Sequence, residues 1–409
     1  MSRYLLVVLI LALSLLVLVG CDEPVNDVDV AEEPDEPSEP LKIGFSGALT
    51  GPYSEFGEGL RRAYEVAIEE WNEKGGVNGR EVILITRDDQ LDPSEAVSNV
   101  RELIEIEEVD LLMGPPGSGP TMATLDIVQA NDYVFFHYAA TNEAIYPEGM
   151  DNPPYPYVFG FNVLNDITAQ AMASYVAENF ENIGILVEST TYGTNTRDWL
   201  IEALEEEHGI SPVGSEVYDQ GDADMTAQLS RLQRDGAEVL VVEGLGADMA
   251  VIRQGMERLN FDAHLHGGGG IMSMPYVEVA RELAIGTTAS GPATYVGEPE
   301  RAQAKEFAEK YYAMWGNDDW YGDGEWPTPF FTYNAYGYDS INYLLEAVNE
   351  AGTTDADAVV EAIYNIEHSG VHMDYSFSPD QHHAHTVEFV GVTLYEFDEE
   401  VGIRIVRIQ

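Results

Sequence analysis

Positive charge and cysteine are what this sequence has least of. Its 409 residues include 19 Lys+Arg against 73 Asp+Glu, a net charge of −54 at neutral pH. Without clustered bases to neutralise phosphates, the chain has no electrostatic footprint for nucleic acid. A single cysteine excludes a disulfide framework. Beyond one stretch near the N-terminus, long apolar runs are missing as well, which leaves no second candidate for a membrane-crossing helix. What is present is the make-up of a globular protein. Hydrophobic residues at 45% and aromatic residues at 10% are too many for general disorder, and the length suits two lobes of ordinary size.

The acidity is not confined to a tail. Residues 22–40 hold nine of the acids and no base, and one base, Arg3, precedes them. Residues 41–409 therefore keep 64 acids against 18 bases, a charge of −46, and only four of the bases are Lys. Charge of one sign spread over a folded surface repels itself, and salt that shortens the screening length to about 3 Å relieves the repulsion. The composition reads as a surface adapted to brine.

At the N-terminus, Arg3 is followed by an apolar run from Leu5 to Val19, broken only by Ser14, and then by Gly20-Cys21-Asp22. The run falls short of the roughly 18–20 residues of a spanning helix, and a small residue stands before the expected cut, as in a signal peptide. Leu18-Val19-Gly20-Cys21 resembles the bacterial lipobox, in which the cysteine is lipidated and becomes the new N-terminus; the chain's one cysteine sits at that place. The alternative is an uncleaved membrane anchor. Either one places the folded part outside the cytoplasm. Residues 1–20 are thus expected to be a signal peptide. Residues 21–40, acidic and carrying Pro24, Pro34, Pro37 and Pro40, are expected to be a lipidated cysteine and a tether.

From Lys42 onward apolar strand-like runs alternate with amphipathic stretches. Lys42–Leu49, Glu81–Thr86, Val109–Met113 and Tyr133–Tyr138 read as buried strands, with helices at Gly57–Lys74 and Pro93–Glu107. Strands at Ile183–Val187, Val213–Tyr218, Val239–Val242 and Ala263–His266 alternate with helices at Asp166–Asn179, Thr194–Glu207, Met225–Arg234 and Ala247–Leu259. Further helices are expected at Pro299–Met314, Tyr333–Ala351 and Asp355–Ile366, and final strands at Thr386–Phe397 and Gly402–Ile408. Such alternation predicts an α/β fold of parallel-rich sheets with helices on both faces. Ligands in these folds bind beyond the carboxyl ends of the strands.

Gly114-Pro-Pro-Gly-Ser-Gly-Pro-Thr121 follows a strand, opens a helix and nearly spells a phosphate loop, but Pro120 stands where the lysine is required. Free N–H groups at the helix start then suit one carboxylate better than a triphosphate, with Ser118 adding a hydroxyl. The alternative is a plain connecting turn. Gly267–Gly270 lacks the third glycine of a dinucleotide fingerprint, and no G-x-S-x-G elbow occurs. His382, His383 and His385 are bunched without a helical i, i+4 spacing and read as a solvated loop rather than a metal site. No cofactor, metal or catalytic residue is expected.

Several fragments together resemble a known family. Asn72-Glu-Lys-Gly-Gly-Val-Asn-Gly-Arg-Glu-Val-Ile-Leu84 with Asp88-Asp89-Gln-Leu-Asp92-Pro93 is similar to the signature of leucine/isoleucine/valine-type periplasmic binding proteins. So are Gly47-Ala-Leu-Thr-Gly-Pro-Tyr-Ser-Glu-Phe-Gly57, Tyr138-Ala-Ala-Thr141, Thr191-Tyr-Gly193 and Tyr338-Asp339-Ser-Ile-Asn-Tyr343. Their order along residues 41–409, behind a lipobox, is more specific than any one of them. The resemblance implies two α/β lobes joined by three crossovers, here residues 41–161 with 291–370 and residues 162–290 with 371–409. It implies closure on a small ligand that is handed to the permease of an ABC importer. The family's carboxylate-holding positions correspond to Ser118, Ala139 and Thr141. Phe56 would cover the ligand from the first lobe and Tyr192 from the second, although both also read as ordinary core aromatics.

The departures bear on the ligand. Amino-acid binders of this family pair the ligand's ammonium with an acid in the loop that here reads Gly267-Gly-Gly-Gly-Ile-Met272. A buried ammonium without a partner is costly. Either Glu243, at the end of its strand, takes that role, or the ligand has no ammonium; Glu243 also reads as a plain loop-facing acid. The expected function is a lipid-anchored, monomeric importer binding protein for a branched-chain or related amino acid. An extracellular ligand-sensing domain, or a binding protein for an amide, urea or aromatic acid, is the alternative. The expected partners are the small-molecule ligand, permease subunits and the membrane through Cys21, and no nucleic acid. If the acidic surface is adapted to brine, dialysis from molar salt to about 50 mM should lower the melting temperature or unfold the protein. A melting temperature that does not move with salt would rule the adaptation out.

Overall fold

The computed structural model describes residues 39–138, 145–146, 155–292, 301–316, 331–384, 390–399 and 402–409. The leader, Cys21 and the tether through Ser38, together with Ala139, Thr141 and His385, lie outside the described residues. Among the described residues no helix is long and apolar enough to cross a membrane.

The first half of the chain builds a five-stranded sheet from β1 (Leu41–Gly47), β2 (Val82–Asp88), β3 (Leu111–Met113), β4 (Phe135–His137) and β5 (Val158–Gly160). Its order is β2-β1-β3-β4-β5 and every pairing is parallel. Helices α1 (Ser54–Glu73), α2 (Pro93–Glu105) and α3 (Ser118–Ala130) are the crossovers. Asp92 starts α2 by accepting from Ser94 N at 2.7 Å and Glu95 N at 3.1 Å, with Pro93 at the first helical position. The strands are nearly continuous apolar runs because helices cover the sheet.

The chain then crosses to a second sheet. After α4 (Asn165–Asn179) come β6 (Ile183–Glu188), α5 (Thr191–Glu206), β7 (Gly214–Tyr218), α6 (Thr226–Arg234), β8 (Val239–Glu243), α7 (Gly246–Leu259), β9 (His264–Gly267), α8 (Met274–Ala280) and β10 (Thr288–Pro292). It returns for α9 (Ala302–Trp315), α10 (Phe331–Ala351), α11 (Ala356–Asn365) and the short pair β11 (His368–Ser369) and β12 (Asp374–Tyr375). It ends in the second sheet with β13 (Val390–Asp398) and β14 (Gly402–Arg407), giving the order β14-β13-β10-β9-β8-β6-β7. Among the described residues of this sheet, the pairings β10–β13 and β13–β14 are antiparallel and the others parallel. Three passages between two sheets follow from this order, and the α/β two-lobed expectation holds.

Some expectations need correction. Strands β5 and β10 and helix α8 do not stand out in the sequence. Strand β10 reads Thr-Ala-Ser-Gly-Pro, yet it lies between β9 and β13, with Ser290 fully buried beside His266 Nε2 at 3.1 Å. Hydrogen bonds inside the sheet, rather than apolar side chains, satisfy it. Residues 371–384, expected with the second lobe, instead bring Met373, Tyr375, Phe377 and Ala384 to the first sheet's core. They extend that sheet's edge, since Gly160 N donates to His382 O at 2.8 Å and Ala384 N to Gly160 O at 3.0 Å. His382 is therefore not solvated. It is buried, stacks on Phe159 at 4.3 Å and shares a 2.7 Å hydrogen bond with the Tyr364 hydroxyl.

The family-like fragments have structural work. Asn72 clamps β2 through Val82 N and Val82 O, both at 2.8 Å. Gly76 has φ +77° and approaches Arg80 O so closely that a Cβ would sit 1.9 Å from it. Asp339 accepts from Val371 N at 2.6 Å and His372 N at 2.8 Å, tying the returning chain to α10. Phe136 is fully buried at the centre of the first lobe, 5.0 Å from Phe161, 5.7 Å from Phe159 and 6.4 Å from Phe377 by ring centroids. Phe136→Ala should cost about 3–5 kcal/mol of unfolding free energy in denaturant titration, because a cavity would replace the ring.

Candidate functional site

A cavity of about 330 Å³ opens where the carboxyl ends of the two sheets meet. Its walls follow β1 (Phe56), β2 (Leu91), β3 (Pro116–Pro120) and β4 (Tyr138) on one side. On the other they follow β6 (Glu188–Tyr192), β7 (Gln220), β8 (Leu245) and β9 (Gly270). These are the places where the strand order of an open parallel sheet leaves a crevice.

On the first-lobe side, Ser118 is buried and begins α3, whose first N–H groups face the cavity end of the helix. The Asp88–Asp89 pair shapes the neighbouring loop after β1. Asp88 accepts from Leu49 N at 2.9 Å and from the Thr50 hydroxyl, while buried Asp89 accepts from the Ser46 hydroxyl at 2.7 Å. That loop ends at Tyr53, and Phe56 follows in the first turn of α1. Phe56 lines the cavity and meets Tyr333 of α10 edge to face, 4.8 Å between centroids. Ala139 and Thr141 lie outside the described residues, so Ser118 is the one member of the expected carboxylate set that the structure locates.

The second-lobe side is acidic. Tyr192, in the first turn of α5, lines the cavity and donates its hydroxyl to Glu243 Oε1. Glu243 is 1% exposed. It lies behind Tyr192 and is neither a loop-facing acid nor a wall residue. Its carboxylate occupies the space left by the bare Gly268, where a Cβ would stand 2.1 Å from Oε2. The loop that lacks an acid thus packs on the carboxylate of Glu243 from the neighbouring strand. Glu188, which the sequence reading missed, does line the cavity; it is 1% exposed and accepts from the Thr190 hydroxyl. As the last residue of a wholly apolar strand, it could have been noticed as the one polar side chain there. Burial pushes Glu188 up to about 7 and Glu243 up to about 8, with mutual repulsion adding to Glu243. The lobes also touch directly: the Tyr53 hydroxyl lies 3.3 Å from both carboxylate oxygens of Asp248 in α7.

A family model described as periplasmic binding protein matches residues 40–393. The chain belongs to the periplasmic binding protein family. A Leu/Ile/Val-binding protein of Rhizobium johnstonii is 25% identical to it over 327 residues, 79% of this chain and 83% of that one. A leucine-, isoleucine-, valine-, threonine- and alanine-binding protein of Pseudomonas aeruginosa is 24% identical over 79% of this chain and 82% of its own. Among solved structures, a type 1 periplasmic binding protein of Bordetella pertussis superposes with TM-score 0.86 at 40% identity, covering 90% of this chain and all of that one. The Streptococcus pneumoniae branched-chain amino acid binding protein in complex with isoleucine shares the fold, with TM-score 0.74 at 20% identity and coverage of 90% and 100%. The chain's fold and sequence are thus those of a type 1 periplasmic binding protein.

Both Glu188 and Glu243 keep protons in the folded chain at a pH where the unfolded chain has lost them. Their contribution to stability is therefore complete below about 4.5 and is lost as pH rises through about 7 and 8. Glu243→Gln should flatten the fall in ligand-free unfolding free energy between about pH 5 and pH 9. An unaltered slope in denaturant titrations at the two pH values would show that Glu243 ionises freely.

Proposed function

We propose that the protein is the extracytoplasmic substrate-binding component of an ABC importer, lipid-anchored through Cys21 and monomeric, with a surface adapted to high salt. It takes a small carboxylate, a branched-chain or related amino acid, between lobes formed by residues 41–161 with 291–370 and by residues 162–290 with most of the remainder. The observation that carries this is the inter-lobe cavity, with the starts of α3 and α5 in its opposite walls. Helix starts offer N–H groups to a carboxylate, and Ser118 adds a hydroxyl. Ala139 and Thr141 complete the carboxylate set by their place in the family pattern. Phe56 and Tyr192 cover the ligand from either side, and Glu243 acts through Tyr192. No bond need be made or broken: closing two lobes on a ligand and removing water from its polar ends supplies the affinity. The names of its relatives, which are binding proteins for branched-chain and small amino acids, support this reading.

A thermal-shift screen of amino acids, amides and aromatic acids in high salt, followed by calorimetry, should give a carboxylate-bearing hit. Ser118→Ala should weaken that hit by about tenfold or more, the worth of a hydrogen bond to a charged group. A hit that is indifferent to Ser118→Ala would remove the carboxylate assignment, and turnover of a hit would replace transport with catalysis.

A further inference from the structure

The second-lobe side of the cleft holds three buried carboxylates, Glu188, Glu243 and Asp248. Among the described residues, no Lys or Arg forms an ion pair with any of them. Asp248 is met by Gly221 N at 3.0 Å and by the Tyr53 hydroxyl. The other two are incompletely satisfied. Glu188 Oε2 and Glu243 Oε2 are buried without hydrogen-bond partners, and so is the Tyr218 hydroxyl. These groups lie close together around two bare glycines. A Cβ on Gly244 would stand 2.0 Å from the Tyr218 hydroxyl oxygen and 3.3 Å from Glu188 Oε2, while one on Gly268 would meet Glu243 Oε2. Glycine at both positions leaves the space to the acids.

We propose that the ligand carries more positive charge than a branched-chain amino acid: it is a basic amino acid or a guanidino or amidino acid, with its cationic nitrogens against Glu188 and with Glu243, behind Tyr192, as the second counter-charge. This rests on the reading of Ser118 as the carboxylate end. A single ammonium can meet one of the two acids and leaves the Oε2 of the other buried without a partner, which costs free energy. A guanidinium presents donors in several directions and matches carboxylate geometry. Glu188 is then the specificity-determining residue, since of the two it is the one on the cavity wall. The groups facing it are Tyr192 of α5, Tyr218 of β7, Glu243 of β8, Asp248 of α7 and Tyr53 ahead of α1.

Calorimetry on the full chain in high salt with L-leucine, L-lysine, L-arginine and agmatine tests this. L-arginine or L-lysine should bind at least tenfold tighter than L-leucine, and Glu188→Gln should weaken the basic amino acid by about 30-fold or more and so abolish the preference, as removal of one partner of a buried charge pair does. Glu188→Asp should retain part of it. On the unaltered protein the preference should shrink as pH falls from about 9 to about 5.5, where both acids hold protons. Equal or tighter binding of L-leucine, or a preference that neither Glu188→Gln nor pH changes, overturns the proposal. Ser118→Ala reports separately on the carboxylate end: agmatine binding without either amino acid would overturn that reading and leave the cation site standing. Binding of none of the four overturns the proposal.

Discussion

Two strands can pair in parallel only if the chain returns through a crossover, so every strand-to-helix turn of such a sheet falls on one edge and every helix start points the same way. The cleft of this protein is built from that constraint applied twice. Strands β1 to β4 and β6 to β9 deliver their following turns to a shared space, and α3 and α5 present their starts from opposite lobes. The antiparallel strands β13 and β14 take no part in the cavity wall; they close the outer edge of the second sheet.

Electrostatics divides the molecule into two regimes. Outside, a large excess of acids sits in water, where ions screen it. At the cleft the same residue types are buried among tyrosines, where no screening reaches and where burial itself holds protons on Glu188 and Glu243. The acids at the surface meet water, and these two are closed off beside the cleft.

Much of the fold was legible because its causes are local. Apolar runs bounded by glycine, and caps such as Asp92 before Pro93, mark strands and helices without reference to the rest of the chain. What escaped was held by partners far away. Strand β10 carries little apolar signal and is fixed by β9 and β13. His382 reads as a surface residue in Asp-Gln-His-His, yet Phe159 and Tyr364, distant in sequence, bury it. Within the site, Ser118 could be picked from its glycine loop, and Phe56 and Tyr192 from their places in family-like fragments. Glu188 carried a weaker mark, the one polar side chain at the end of an apolar strand, and nothing local told that it is buried beside the cleft.

The sequence by itself determined the two α/β lobes, the family and the unequal charge, since periodicity, motif order and composition need no third dimension. Which acids gather beside the cleft was decided only by the tertiary structure. Glycines 244 and 268 make room, and side chains from β6, β7 and β8 fill it; this happens because neighbours in a parallel sheet are distant in sequence. The loss of an acid from one loop looked like the loss of a site. In the fold, that loop packs on a carboxylate from the adjacent strand, because space left by one residue is open to any side chain near enough to reach it.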